Sequence, residues 1–304
     1  MMIESIKEGL ALANKNLQLV IIRASVSIIN VASLFIFLGF SVIVAITYLG
    51  FDLAQAKDLL PFLVRNPFEF VSRYLGIIIL LCISLMFYLT FASLLYIYSL
   101  GGTLGVLKGS AVNIQYKFRF SSFFKEANTH FSRLLWLVSL VLLGVTAIFL
   151  VFLIMGLITV AVIQTITGSG STLEIFFNSF ALLTTVIFSI IFILTGFIFT
   201  VYSLVILVTD GKGIRESIGG TYNFLRQHPQ ALLFYVILFI AIIGANTVYY
   251  GIQVSFAVIP VMAPFIYLFN AFFQSYLSII VWSSLIAYYV KVSDYPVYLS
   301  NYEI

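Results

Sequence analysis

The sequence predicts an all-α polytopic integral membrane protein with six transmembrane helices, arranged as three helical hairpins, each preceded by a cytoplasmic amphipathic helix. Three observations predict it. The 304 residues are 62% hydrophobic and 9% charged, with a mean hydropathy of +1.15, too few polar side chains to cover a soluble globule of that size. Runs without Asp, Glu, Lys or Arg cover 24–51, 74–107, 134–173, 175–209 and 227–290. The Lys and Arg residues between those runs are divided very unevenly between the two sides of the membrane they imply.

The first run follows an amphipathic segment containing Glu4 and Glu8 and is too long for a signal peptide, so no cleavage is expected. The second run, 74–107, would extend about 51 Å as a helix against a hydrocarbon core of about 30 Å. It and its neighbours must therefore tilt, kink or project into water. Runs three and four each supply one crossing. The fifth is long enough for two, since one crossing needs roughly 20 apolar residues; it divides near "IPVMAP", where Pro260 and Pro264 interrupt helical continuity.

Between the first two crossings, "DLAQAKDLLPFLVRNPFEFVSR" mixes charges with Leu59, Leu60, Phe62, Leu63, Phe68 and Phe70. It reads as a short interfacial helix bounded by Pro61 and Pro67. The other outer connections, "TGSGST" and "IPVMAP", are too small to build a domain. Tyr48, Tyr74, Trp136, Tyr249, Tyr250 and Trp282 fall near the expected boundaries and read as interface anchors. The only cysteine, Cys82, lies inside the second run and reads as a buried small hydrophobe that forms no intrachain disulfide.

Orientation follows from the flanks. Twelve cations lie on the side of the N-terminus, among them Lys7, Lys15, Lys108, Lys125, Lys212, Arg226 and Lys291; only Lys57, Arg65 and Arg73 lie opposite. The positive-inside rule then gives a multi-pass protein of the cell membrane with both termini cytoplasmic. The basic balance faces anionic headgroups and asks for no nucleic acid.

Ile214, Ile218, Tyr222 and Leu225 form a stripe at helical spacing in "IRESIGGTYNFLRQH". Moving back 98 residues gives Tyr116, Phe120, Phe124 and Ala127; moving back 212 gives Met2, Ile6, Leu10 and Ala13. In these registers His228 falls on His130 and Asn16, which read as polar corners where an amphipathic helix meets a membrane helix. One unit used three times follows, over about 1–108, 109–210 and 211–304, within a single membrane domain spanning 1–304.

The stretch "VYSLVILVTDGKGIRESIGGTYNFLRQHPQALLFYVIL" resembles the signature region of a superfamily of uncharacterised six-helix membrane proteins of bacteria and archaea, which includes the membrane domain fused to some glycerophosphodiester phosphodiesterases. The residues that carry the resemblance are Asp210, Gly211, Gly213, Ser217, Arg226, His228 and Pro229. "GGTLGVLKGSAVNIQYKFRFSSFFKEANTHFSRLLWL" is similar to the same element one unit earlier. The resemblance implies a six-helix fold with no established activity for the membrane part, and this chain has no soluble domain to carry the phosphodiesterase.

Chemistry-bearing patterns are sparse. Ion-coupled transport draws on ionisable side chains at mid-membrane, and the runs hold none; Arg23 stands at the start of the first helix, where its stem reaches back to the interface. Asn246 and Gln253, with Asn270 and Gln274, are the densest polar patch, read as interhelical hydrogen bonding or as the lining of a small-molecule or headgroup pocket. Gly101 and Gly105, beside Gly102, form a G-x-x-x-G read as a close helix contact. His130 and His228 lack a cysteine or carboxylate at zinc-ligand spacing, and no H-E-x-x-H, G-x-S-x-G, C-x-x-C or phosphate loop occurs. No catalytic residue, cofactor or metal is expected.

The expected function is non-enzymatic: a scaffold, a lipid-interacting module or a subunit of a membrane complex, with membrane lipids and other membrane subunits as partners. The alternative is a permease or flippase-like transporter of an apolar or amphiphilic solute. A membrane enzyme is the weakest reading, because Asp210 and Glu216 stand beside Lys212 and Arg215 as a solvated face would.

Overall fold

The computed structural model describes residues 1–48, 61, 64–113, 115–167, 172–257 and 260–295. Among them stand eight α-helices: α1 (Met2–Lys15), α2 (Leu17–Tyr48), α3 (Pro67–Val112), α4 (Phe120–Thr167), α5 (Thr172–Asp210), α6 (Ile214–Gln227), α7 (Gln230–Ala257) and α8 (Ala263–Val292). Six of these, all but α1 and α6, are long and apolar enough to cross a membrane. A single 3₁₀ turn, Pro260–Met262, separates α7 from α8 and lies where the two prolines were expected to divide the last run. The 46 residues of α3 and the 48 of α4 extend about 70 Å at 1.5 Å per residue, well beyond a hydrocarbon core of about 30 Å.

The chain forms two compact units. The first comprises Met1–Lys15, Gly101–Gly251 and Ile280–Ile304. Its core consists of three helix ends buried on every side: 101–107 of α3, 201–209 of α5 and 282–290 of α8. A helix apolar or small all round belongs in an interior, and these ends are "GGTLGVL", "VYSLVILVT" and "WSSLIAYYV". Each is covered by one of the three segments that share the sequence register: α1, the start of α4, and α6. α1 lies on α8, where Ser283 Oγ donates to Gly9 O at 2.7 Å. The first turns of α4 lie on α3, where Phe123 packs over Gly102 and Glu126 over Gly105. α6 lies on α5, where Ser203 Oγ donates to Thr221 Oγ1 at 3.0 Å. Small and hydroxyl residues at these seams let backbones approach closely, and their hydrogen bonds stay inside the seam.

The second unit, Asn16–Leu100 and Ile252–Ile279, contains α2, most of α3, the end of α7 and the first half of α8. α2 and α3 run antiparallel, held by the Ser41–Ser84 hydroxyl pair and by Phe37 against Phe91 at 6.2 Å between centroids.

The structure corrects three expectations and refines one. First, the second inner segment is no separate helix: α4 runs unbroken from Phe120 through His130, so His130 is no corner. Asn16 and His228 do sit at breaks, and each accepts the N–H three residues on, from Leu19 and Ala231, both at 2.9 Å. The difference is chemical. Pro229 bars the preceding residue from continuing the helix, whereas nothing after His130 does. Second, the apolar stripe, expected on lipid or on the bundle, is divided, with Ala13 and Ala127 buried and its large side chains turned out. Leu10, Phe124 and Tyr222, which share one register position, are 42%, 52% and 61% exposed, while Ser5, Gly9, Ala13 and Asn16, then Phe123, Ala127 and His130, then Ser217, Thr221 and Phe224 face inward. Third, Cys82 is exposed on the flank of α3. Fourth, Trp282 and Tyr249 are buried, unlike Trp136 and Tyr250. Tyr48's side chain, half of the outer segment expected over 52–73, and residues 168–171 of "TGSGST" lie outside the described residues, and Pro67 opens α3.

Candidate functional site

Within the second unit a cavity of about 280 Å³ opens between α2, α3 and α8. On α2, Arg23, Ser27 and Asn30 are spaced four and three apart, so one helix face delivers all three to its wall. Tyr96 and Ser99 come from α3; Gln274, Ser275 and Ser278 come from α8. Arg23 begins about 9 Å along α2 at 1.5 Å per residue. Its side chain does not snorkel outward as expected. The residue is 7% exposed, with the guanidinium carbon 5.1 Å from the centroid of the Tyr96 ring.

On two of the residues that line it, Arg23 and Asn30, the atoms Nη1 and Oδ1 are buried with no hydrogen-bond partner among the described residues. Neither Asp nor Glu is among the residues that line the cavity. A buried guanidinium ordinarily has an anion to offset its desolvation. Here the ring face of Tyr96 supplies part of that compensation.

Of the expected polar patch, Gln274 alone lines this cavity. Asn246 donates Nδ2 to Ile242 O at 3.0 Å, one turn back on its own helix, and belongs to the other compact unit. Gln253 and Asn270 are half-buried. Gln253, Asn270 and Gln274 belong to the second unit. The signal for the real constellation was present as Arg23, Ser27 and Asn30 in one helical register, obscured because Arg23 reads naturally as an interfacial anchor.

In the first unit, the expected glycines and histidine meet. A Cβ on Gly101 would come to 3.1 Å from Leu134 and 3.5 Å from His130 Cβ; one on Gly105 would come to 2.5 Å from Glu126 Cβ. His130 is 4% exposed, with Nε2 3.2 Å from Glu126 Oε2 one turn earlier. That i,i+4 carboxylate was legible in the sequence, and the weighing of His130 as a metal ligand passed over it. Around the same helix ends, Lys108 Nζ donates to Val208 O at 3.1 Å, Arg133 donates to Gly211 O at 2.9 Å, and Tyr289 OH donates to Asp210 at 3.0 Å. Lys212 lies 2.7 Å from Asp210, whose carboxylate holds the ammonium above its ordinary pKa. His228 ends α6 with its ring 5.3 Å from that of Phe224. These groups fasten carbonyls and carboxylates at helix ends.

Set against family models, curated proteins and solved structures, the chain gives no match, so its reading rests on its own residues.

Proposed function

We propose that the protein is a non-enzymatic, lipid-interacting membrane protein whose three inner segments rest at the cytoplasmic boundary of the cell membrane, with both termini on that side. The observation that carries this reading is the shared placement of Leu10, Phe124 and Tyr222. Each is exposed, on a segment whose opposite face is sealed by small residues against a helix end. In water such side chains would cost roughly 25 cal/mol per Å² of apolar surface; at an acyl boundary that cost disappears. Lys7, Lys125 and Arg226 on the same segments are placed to meet anionic headgroups, and the count of twelve cations against three supports the orientation.

The common register at offsets of 98 and 212 residues supports an internal repeat of about 1–108, 109–210 and 211–304. The resemblance to the uncharacterised six-helix superfamily agrees with a reading that assigns no catalysis. So does the use of the titratable groups: His130 and Glu126 hold each other, and Asp210 is shared by Tyr289 and Lys212. General acid–base work needs such groups within reach of a reacting atom.

The test is a single tryptophan at position 222 in a background lacking Trp136 and Trp282, reconstituted with brominated lipid. Strong quenching is expected. Fluorescence indifferent to bromolipid would dispose of the boundary placement. The cavity at Arg23 favours a second reading, a permease or flippase-like carrier of an amphiphilic solute, because it offers polar partners inside an apolar region. Flux of labelled lipid across proteoliposomes, abolished by Gln274→Trp, would favour that carrier.

A further inference from the structure

We infer that the Arg23 cavity is a headgroup site for an anionic phosphodiester lipid whose headgroup carries neutral hydroxyls. The inference rests on the lipid-interacting reading and adds the ligand class. The fixed charge is the first argument. The Arg23 guanidinium is buried at 7% exposure and has Nη1 without a hydrogen-bond partner among the described residues. The guanidinium fork matches the oxygens of a phosphodiester, and in a water-poor wall such charge-assisted bonds are about twice as strong as neutral ones.

The rest of the wall sets selectivity. Ser27, Asn30, Gln274, Ser275 and Ser278 present hydroxyls and amides suited to hydroxyl groups. Among the described residues no Asp or Glu lines the cavity, so the ammonium of a zwitterionic headgroup would find no counter-charge there and would sit near a guanidinium of its own sign. Specificity by repulsion of this kind discriminates as effectively as added attraction. Volume agrees with a headgroup and not a whole lipid: about 280 Å³ lies at the lower limit of small-molecule sites, roughly 300–1,000 Å³. Acyl chains would remain outside, along the exposed apolar flanks of the helices.

The experiment uses the full chain, purified in a neutral detergent, with native mass spectrometry and thermal-shift titration against phosphatidylglycerol, phosphatidylethanolamine and phosphatidylcholine. Soluble glycerophosphoglycerol forms a further arm. Wild type is expected to bind phosphatidylglycerol about tenfold more tightly than either zwitterionic lipid, because the ammonium of the latter meets a charge of its own sign. Arg23→Gln is expected to lose that preference while still carrying lipid. Gln274→Trp, which fills the cavity and leaves the charge, is expected to lose it too and serves if Arg23→Gln does not fold. Arg23-dependent binding of the soluble diester in preference to the lipid would keep the chemistry and make the ligand aqueous. Equal binding of all three lipids to wild type, or full selectivity in both variants, would overturn the headgroup site yet leave the lipid-interacting reading standing; no retained lipid of any kind would remove both.

Discussion

At the level of single residues, the tightest constraint is the contact between Gly9 and α8. A Cβ at Gly9 would lie 2.5 Å from Ser284 Cα and 2.6 Å from its backbone nitrogen, so the neighbour that must yield is main chain and not a flexible tip. Gly9→Ala is expected to destabilise by about 1–3 kcal/mol, the usual cost of overpacking. Gly39→Ala, where nothing lies within 4 Å, is expected to stabilise by about 0.5–1 kcal/mol through a less flexible unfolded chain. Thermal midpoints in detergent check both, and equal shifts would mean that α1 does not press on α8. Tyr289→Phe removes the hydroxyl that donates to Asp210 at 3.0 Å. A hydrogen bond to a charged group contributes about 2 kcal/mol, so the variant should melt earlier than wild type. Lys212 would remain as the carboxylate's partner.

Among the elements, α1 is fastened to α8 by chemistry that responds to pH. Lys291 Nζ lies 3.0 Å from Glu4 Oε2 and 3.2 Å from Glu8 Oε1. The hydrogen bond from Lys291 holds the Glu4 carboxyl below its ordinary 4.5. A carboxyl lowered in the folded state stabilises above its unfolded pKa, and that contribution is lost as pH falls through the folded value. α1 should therefore loosen in acid, as pH falls below the ordinary 4.5 and through the lowered Glu4 value. A nitroxide at Lys7→Cys in a Cys82→Ala background should gain mobility across that window, and Lys291→Met should show the loosened spectrum already at neutral pH. The same element shows why the sequence was only partly legible. Apolar residues at helical spacing mark one face of a helix, and spacing alone leaves open whether that face meets lipid or the bundle. In a bilayer the solvent for apolar groups lies outside, so Leu10, Phe124 and Tyr222 turn outward while serines, glycines and alanines make the seams. The break at His228 was legible because Pro229 follows it. The continuity through His130 was missed because the register matched and the missing proline was not weighed.

For the whole molecule, six crossings followed from composition because a bilayer demands long apolar helices and little else. The cavity did not, because its wall draws on α2, α3 and α8, and only the α2 triplet leaves a periodic trace in one stretch of sequence. Orientation is the property that sequence governs most directly, through charge. Twelve Lys and Arg residues flank the helices on the side of the N-terminus and three lie opposite, where Asp52, Asp58 and Glu69 offset them. Translocating a cation-rich flank is disfavoured, so the balance decides which flank stays inside. Single cysteines in the Cys82→Ala background read the outcome, at positions that are exposed in the structure: Lys7, Lys117 and Arg226 on the cation-rich side, and Glu69 on the other. A membrane-impermeant maleimide added to intact cells is expected to label Glu69→Cys alone, and the other three only after permeabilisation. Labelling of Lys7→Cys from outside would invert the topology. It would also place Leu10, Phe124 and Tyr222 at the opposite leaflet, away from the anionic headgroups that their neighbouring cations are proposed to meet.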